Sequence, residues 1–484
     1  MRPIREFGAK LPVAVSHNTP AFQTEARTEP PVVRVSAIVS ALSFALDLTE
    51  GQPMGHSVRS CVLGMRIAHR IGLTTTERAD LYYALLLKDA GCSSNATRLH
   101  QILGTDEIKA KRDVKLTDWA RLGRESLEYA LDHVRTGRPF LERVQALLNV
   151  AIHQKRQSRE MVQIRCERGA AIARRMGMPE RTASAIHSLD EHWNGRGYPD
   201  GLCGDGIPQF SRIMNLAQTL EVFHRERGAE AALEVVRRRS SRWFDPDLVR
   251  AALSLAKQNR LWVDLDRANS DVMDLEPLEQ TMVANERTLD NICLAFADVI
   301  DAKSPFTYRH STGVAAAAVA IASILGMTGA EITLIRRAAL LHDIGKLSVP
   351  NSILEKPGKL TAGEWDSVRR HPYYTLEILK RIPGFGNLSE IAASHHEKLD
   401  GSGYFRHLGA EQMSLPARIL VVADIYDALS AKRPYRDAMP LESVFGLMQK
   451  DAPKALDATC LDALKQSKDS PDLVSLSRNI EATG

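Results

Sequence analysis

The sequence lacks most features that would place a protein at a glance. None of its six cysteines, at 61, 92, 166, 203, 293 and 460, has a CxxC partner. That spacing indicates neither a zinc ribbon nor a disulfide framework, and a reducing compartment fits. Charge of one sign is not in excess: 63 basic against 59 acidic residues leave +4 over 484 residues. So even a balance gives no argument for a nucleic-acid polymer as partner, and the triplet Arg237-Arg238-Arg239 reads as a solvated helix face. No apolar run reaches the roughly 20 residues of a membrane span. The longest, GVAAAAVAIASILGM at 313–327, reads as a buried helix. The opening MRPIREFGAKLPVAVSHNTP lacks the apolar core of a signal peptide. The expectation is a cytoplasmic protein with no membrane partner.

Period-2 strands are missing too. Apolar residues recur instead at three and four, with Gly after helix ends, as in VSAIVSALSFALDL and VRSCVLGMRIAHRIGL. The predicted fold is all-α. Residues 1–31, rich in Pro, Thr and charge, read as a tail, residues 263–283 as an acidic linker, and 471–484 as a second tail.

What the sequence does have is an echo of itself. PMGHSVRS (53–60) matches TYRHSTGV (307–314), ALLLKDAGC (84–92) matches ALLHDIGK (339–346), and DEHWNGRGYPDG (190–201) matches HEKLDGSGYFRH (396–407). His56 to Lys88 and His310 to His342 each span 32 residues, and Tyr198 to Gln218 and Tyr404 to Asp424 each span 20. Three landmarks in one order predict a duplicated helical domain, over 32–262 and 284–470. The first copy has an insertion of 48 residues, within 93–160.

The second copy carries the chemistry. His310, His342, Asp343, His371, His395, His396 and Asp424 fall on or at the ends of different predicted helices. Helical bundles build metal centres from inward-facing His and carboxylates of that kind. Consecutive residues point about 100° apart, so a pair such as His342-Asp343 can reach two points of one cluster. Asp343 is placed to bridge two ions, and His395-His396 to divide between them. Imidazole and carboxylate without thiolate favour two divalent ions such as iron or manganese. Such a pair activates water and clamps both oxygens of an in-line displacement at phosphorus. Lys346, Arg433 and Arg436 are the candidate phosphate contacts.

HDIGKLSVPNSILEKPGKL, RRHP, HHEKLDGSGY and ADIYDALSAKRPYR resemble the HD-GYP family, a branch of the HD metal-dependent phosphohydrolases, over about 284–450. The resemblance implies an all-helical fold with two or three metals, commonly iron or manganese, and hydrolysis of cyclic di-GMP in bacterial signalling. It implies metal ligands at His342, Asp343, His371, His395, His396 and Asp424, with His310 a ligand in some members. The glutamate ligand of three-metal members is Phe306 here, which implies two. Lys346, Arg433 and Arg436 match phosphate-contacting positions, and Gly403 and Tyr404 lie in the loop nearest the substrate. A homodimer and a diguanylate cyclase-type protein are the implied partners.

Two departures qualify that likeness. The motif ends Gly403-Tyr404-Phe405, so the loop loses the proline that would stiffen it, and Phe405→Pro is expected to restore order. The first copy keeps Gly197-Tyr198-Pro199 but has Lys88 for the first histidine, Cys166 near the third ligand's place, Leu189-Asp190 for the double histidine and Gln218 for the last aspartate. It reads as a degenerate HD domain. The reading is a cyclic dinucleotide phosphodiesterase with Asp343 and Lys346 as its catalytic residues. Its rivals are an HD phosphohydrolase acting on another nucleotide or phosphoester, and a low-activity signalling scaffold that binds a ligand or a partner.

Overall fold

Thr328 and Glu331 close a capping box, and Thr74 and Glu77 close another in the first half. The helices these boxes start run to the two His-Asp positions of the repeat, Gly329–Leu341 ending at His342 and Thr75–Leu87 at Lys88. Their last turns are buried and apolar, so each delivers a polar doublet into a protein interior.

The computed structural model describes residues 33–104, 106–117, 124–134, 140–267, 272–305, 309–430 and 438–467. The first half contains α1 (Val35–Thr49), α2 (His56–Arg70), α3 (Thr75–Leu87), α4 (Ala96–Leu103), α5 (Glu107–Val114), α6 (Arg124–His133), α7 (Phe140–Arg175), α8 (Glu180–His187), α9 (Gln209–Arg227), α10 (Ala229–Arg239) and α11 (Pro246–Lys257). The second contains α12 (Glu286–Asp301), α13 (His310–Ile324), α14 (Gly329–Leu341), α15 (Asn351–Leu354), α16 (Ala362–Arg369), α17 (His371–Leu379), α18 (Gly386–Ala393), α19 (Leu415–Ser430), α20 (Leu441–Asp451) and α21 (Ala458–Gln466). Among the described residues, short 3-10 turns and isolated β-bridges accompany them, and no strand is longer than a bridge. The all-α expectation holds. The Ala-rich run is α13, buried along most of its length, and no described helix is long and apolar enough to cross a membrane.

The halves pack reciprocally. Helix α1 lies against the turn Ile344–Ser348 and α17, and α12 lies against the matching turn Cys92–Asn95 and α7. Such exchange of equivalent contacts is what two-fold related subunits make, and here one chain supplies both sides. A single apolar core runs through both halves. The region predicted to be inserted holds α4, α5, α6 and the start of α7.

Two expectations change. The 263–283 segment packs on the first half as well as joining the two. Glu276 is buried, accepting from Ser36 Oγ at 2.6 Å and Tyr83 Oη at 2.5 Å, and Val35 N–H donates to Met282 O at 2.8 Å. Arg239, expected on a solvated face, is fully buried, its guanidinium 4.2 Å from the Trp243 ring centroid and 5.5 Å from that of Phe223. The 1–31 and 471–484 tails lie outside the described residues.

Candidate metal centre

All seven predicted ligands converge. His310 opens α13, His342 ends α14 with Asp343 next, His371 opens α17, His395 and His396 follow α18, and Asp424 lies within α19. His342, Asp343 and His371 are fully buried, and His395, His310 and Asp424 are nearly so. Asp343 spans two groups of donors. Its Oδ2 lies 3.3 Å from His342 Nε2 and 3.5 Å from His310 Nε2, while its Oδ1 lies 3.4 Å from both His371 Nε2 and His395 Nε2. Asp424 Oδ1 is 3.3 Å from His310 Nε2 and 3.7 Å from His342 Nε2. His395 and His396 both fall in the group with His371, and His396 Nδ1 also lies 3.8 Å from Asp424 Oδ2.

The outer nitrogens fix what the inner ones offer. Nδ1 of His342, His371 and His395 donates to the carbonyls of Ala339, Val368 and Ala392 at 2.7, 2.7 and 2.6 Å. His310 Nδ1 pairs with Asp427 at 2.6 Å. In those tautomers every inward Nε2 is a lone pair. His371 Nε2 and His395 Nε2 nevertheless stand 2.9 Å apart, and His342 Nε2 and Asp343 Oδ1 have no hydrogen-bond partner among the described residues. While the imidazoles are neutral these are acceptors facing acceptors, buried beside carboxylates, an arrangement that takes up cations, whether protons or metal ions. The donor set is nitrogen and oxygen, with no thiol in either group.

The electrostatics follow. Burial alone would lower His342, but Asp343 and Asp424 raise it to about 9. His310 is raised well above the usual value by hydrogen bonds to Asp343, Asp424 and Asp427, against its burial. Asp343 and Asp424 are held well below the ordinary range despite burial, Asp343 by His342 and Lys346 and Asp424 by His310 and His342. Burial pushes His371 and His396 well down and His395 down.

Backbone packing completes the pocket. A Cβ on Gly345 would sit 1.9 Å from the carbonyl oxygen of His371, so only glycine lets the two ligand segments approach. Thr375 Oγ1 donates to His342 O at 2.8 Å and accepts Gly345 N–H at 3.1 Å. Lys346, partly exposed at the mouth, reaches Asp343 Oδ2 at 2.5 Å. The Tyr404 ring lies 4.7 Å from that of His396. Gly403 passes so close to Glu397 and His396 that a Cβ there would meet their backbone at 2.4 and 2.6 Å. Glu397, fully buried, accepts the N–H groups of Arg406 and Leu408 at 2.7 and 2.9 Å and so shapes this loop. Arg433, Arg436 and Phe306 lie outside the described residues.

Phe405 overturns the expectation attached to it. Its φ is +120°, which a proline ring, locked near −65°, does not adopt. Its ring packs against Tyr373 at 5.8 Å.

The first half shows what replaces a ligand set. A Cβ on Gly91 would sit 1.9 Å from the carbonyl oxygen of Arg165, just as one on Gly345 would from that of His371. Arg165 therefore holds the third ligand's place, within a residue of Cys166 as the sequence reading had it. Its guanidinium pairs with Asp190, at the second position of the double histidine. The ammonium of Lys88 pairs with Asp89, and that of Lys115 lies 2.9 Å from Glu50 and 3.7 Å from Asp89. Glu50, Asp89 and Cys92 bring donor atoms within 4.8 Å of one another, but ammonium groups already meet the carboxylates. Among the residues the sequence reading missed are Asp427, Glu397, Thr375, Arg165, Glu50 and Lys115. Only Asp427 had a signal, standing three residues after Asp424 on one helix face.

Comparison with known proteins agrees with this geometry. A family model described as "HD domain" matches residues 143–248 and 295–460. The chain belongs to the HD domain family. It is 41% identical over 435 residues to the 3'3'-cGAMP-specific phosphodiesterase 3 of Vibrio cholerae serotype O1, covering 90% of this chain and 94% of that one. A crystal structure of the cyclic GMP-AMP specific phosphodiesterase V-cGAP3 of V. cholerae superposes with a TM-score of 0.63 at 37% identity, over 91% of this chain and 98% of that one. A cyclic di-GMP phosphodiesterase response regulator of Xanthomonas campestris pv. campestris is 40% identical over 152 residues, 31% of this chain and 40% of its own. The HD-GYP resemblance of the second half stands with these relatives.

Proposed function

We propose that the second half hydrolyses a phosphodiester of 3'3'-cGAMP at a centre of two divalent ions, held by His310, His342, Asp343, His371, His395, His396 and Asp424. The observation that carries this is the convergence of inward imidazole lone pairs on the two oxygens of Asp343. His310, His342 and Asp424 line one side of that carboxylate and His371 and His395 the other, with His396 beside them and 3.8 Å from Asp424 Oδ2. Iron or manganese suits the nitrogen and oxygen set. Bound there, the ions would supply Lewis acidity and an activated water.

The chain's own groups do the rest. The backbone carbonyls on the Nδ1 side hold the imidazoles in their ligand tautomers. Lys346, at the mouth, offers the ammonium nearest the centre for a phosphate oxygen, and Tyr404 covers His396 as a wall for the nucleotide. The two phosphate-contacting arginines proposed from the family likeness, Arg433 and Arg436, belong to the same reading.

The long match to a 3'3'-cGAMP-specific relative supports that substrate over cyclic di-GMP. Cyclic di-GMP is the second reading, favoured by shorter matches to phosphodiesterases of that ligand. Purified protein, assayed for metal and then given each dinucleotide separately, decides. Faster conversion of 3'3'-cGAMP to linear product is expected. Faster conversion of cyclic di-GMP would replace the substrate, and metal-loaded protein that cuts neither would overturn the function.

A further inference from the structure

Helix α5 belongs to the insertion, and its polar residues contact both halves. At its first residue Glu107 is fully buried and faces the second half. Its two oxygens accept the backbone N–H of Asn351 at 2.9 and 3.0 Å, and Oε1 lies 3.3 Å from the Lys303 ammonium. Asn351 stands five residues after Lys346, on the segment leaving the His-Asp turn, and Lys303 stands on the segment leading to His310. The Asn351 side chain ties the two segments together, donating to Lys303 O and to Glu355 Oε1, each at 2.7 Å. Thr97 of α4 donates to the same Glu355 oxygen at 2.6 Å.

The other end of α5 is anchored elsewhere. Lys111, one turn beyond Glu107 on the same face, donates to Cys92 O at 2.7 Å in the first half's turn. Lys115, at the C-cap, reaches Glu50 and Asp89. Each contact buries a charge, and each charge is met by an opposite one or by a backbone dipole, which is the condition for such burial to hold. A helix of eight residues therefore has its acidic end in one half's ligand segments and its basic end in the other half's cation-filled site.

We infer that α5 is a strut, anchored by Lys111 and Lys115 in the first half's filled centre, and that Glu107 is a positioning residue setting the segments that carry His310 and Lys346. On this account the degenerate half serves the active one through a specific contact. The inference rests on the second half being the hydrolytic one, so its test includes a reading that needs no turnover.

The experiment takes the full chain as wild type, Glu107→Ala, Glu107→Gln and the charge-compensated double variant Lys115→Met with Glu50→Gln. Amide hydrogen exchange over 343–355, metal content, and kcat and KM on 3'3'-cGAMP are measured for each. Glu107→Ala should speed exchange around Asn351 by about tenfold or more and lower kcat by about tenfold, with metal content and KM held within about twofold. Glu107→Gln keeps an acceptor for the Asn351 amide and should recover most of both. The double variant should speed exchange in the same second-half segment, although the polar partners of both residues lie in the first half. Wild-type exchange in Glu107→Ala overturns the inference. Exchange that rises in the Glu107 variants and not in the double variant overturns the anchoring. If Glu107→Ala does not fold, the glutamine and double variants carry the same decision. An inactive wild type counts against the proposed function, and exchange then decides the strut.

Discussion

His56 and His310 begin matching helices, and each turns its Nδ1 to a carboxylate on a facing helix, Glu221 in the first half and Asp427 in the second. Aspartates at the matching positions, Asp47 and Asp301, cap the starts of those helices through Ser57 and Ser311. The supports of the histidine are therefore the same in both halves, and what its Nε2 faces is not. Beyond His310 lie Asp343, Asp424 and four more imidazoles; near His56 lie the ammonium groups of Lys88 and Lys115. The two imidazoles respond oppositely. His310 is pushed well above the ordinary value, whereas burial and Lys88 pull His56 down to about 4. The comparison teaches that a buried acidic pocket has to find its positive charge somewhere. Asp89 and Glu50 stay buried, so lysines from α3 and from the inserted residues now hold the cationic positions.

The sharpest break of that comparison is to remove one aspartate from each half. Asp343→Ala should abolish turnover and lower metal content, since one carboxylate faces both donor groups. Asp89→Ala should leave metal stoichiometry unchanged. It should instead cost roughly 3–5 kcal/mol of stability, because Lys88 and Lys115 lose a buried partner. Metal analysis with denaturant unfolding separates the two effects. Equal metal loss from both variants would end the division of labour.

Lys346→Ala gives the next largest effect. The variant should keep its ions and lose about 1–3 kcal/mol of transition-state stabilisation, the scale of one electrostatic donor. A metal-free variant would make Lys346 a structural partner of Asp343 and nothing more.

His56 predicts a pH effect in the first half. Above pH 6.5 His56 is neutral both folded and unfolded. As pH falls toward 4, the unfolded chain gains a proton that the folded imidazole resists, so stability is lost in that window. Between pH 7 and 5 the loss is about 2 kcal/mol. Lys88→Met removes the repelling ammonium, should move His56 back toward 6.5 and should flatten this part of the loss. Histidine NMR resonances together with urea midpoints at both pH values test it. An unmoved His56 would leave burial as the whole cause.

Residue chemistry decides which of these features could be read from sequence. The residues that converge around Asp343 were legible because His and Asp at the ends of apolar helices are conspicuous, and because the second copy supplied a register for the first. The Lys88–Asp89 pair followed from adjacent charges. Arg165 was not legible, because the inserted residues break the register and fix the third ligand's place only to within a residue of Cys166. Glu107, Lys111 and Lys115 sit in EIKAKRDVK, which reads as any solvated charged helix until a partner surface buries it. Arg239 failed for the same reason: Trp243 folds back over it across a turn whose geometry the charge run does not announce. The φ of Phe405 is a property of the closed loop and has no sequence signature beyond the missing proline.

That loop gives the smallest and most discriminating prediction. Both halves pin it with a buried glutamate: Glu191 accepts from Asp200 and Gly201 N–H at 2.6 and 2.9 Å, and Glu397 from Arg406 and Leu408 N–H. They differ where Pro199 stands in one and Phe405, at φ +120°, in the other. A non-glycine residue there stores roughly 1–3 kcal/mol of strain, offset by about 0.5–1.5 kcal/mol from the Tyr373 contact. Phe405→Gly should relieve the strain and lose the contact, leaving stability within about 1 kcal/mol of wild type. Phe405→Pro forces the backbone away from its native angle and should destabilise by more than about 1 kcal/mol. It should also weaken turnover, with metal content unchanged. Phe405→Ala keeps the strain without the contact and should fall between them. Unfolding midpoints for the three variants give the order glycine, alanine, proline. A proline variant as stable as wild type would mean that the second loop can take up the backbone of the first, and that the two loops differ by choice of side chain alone.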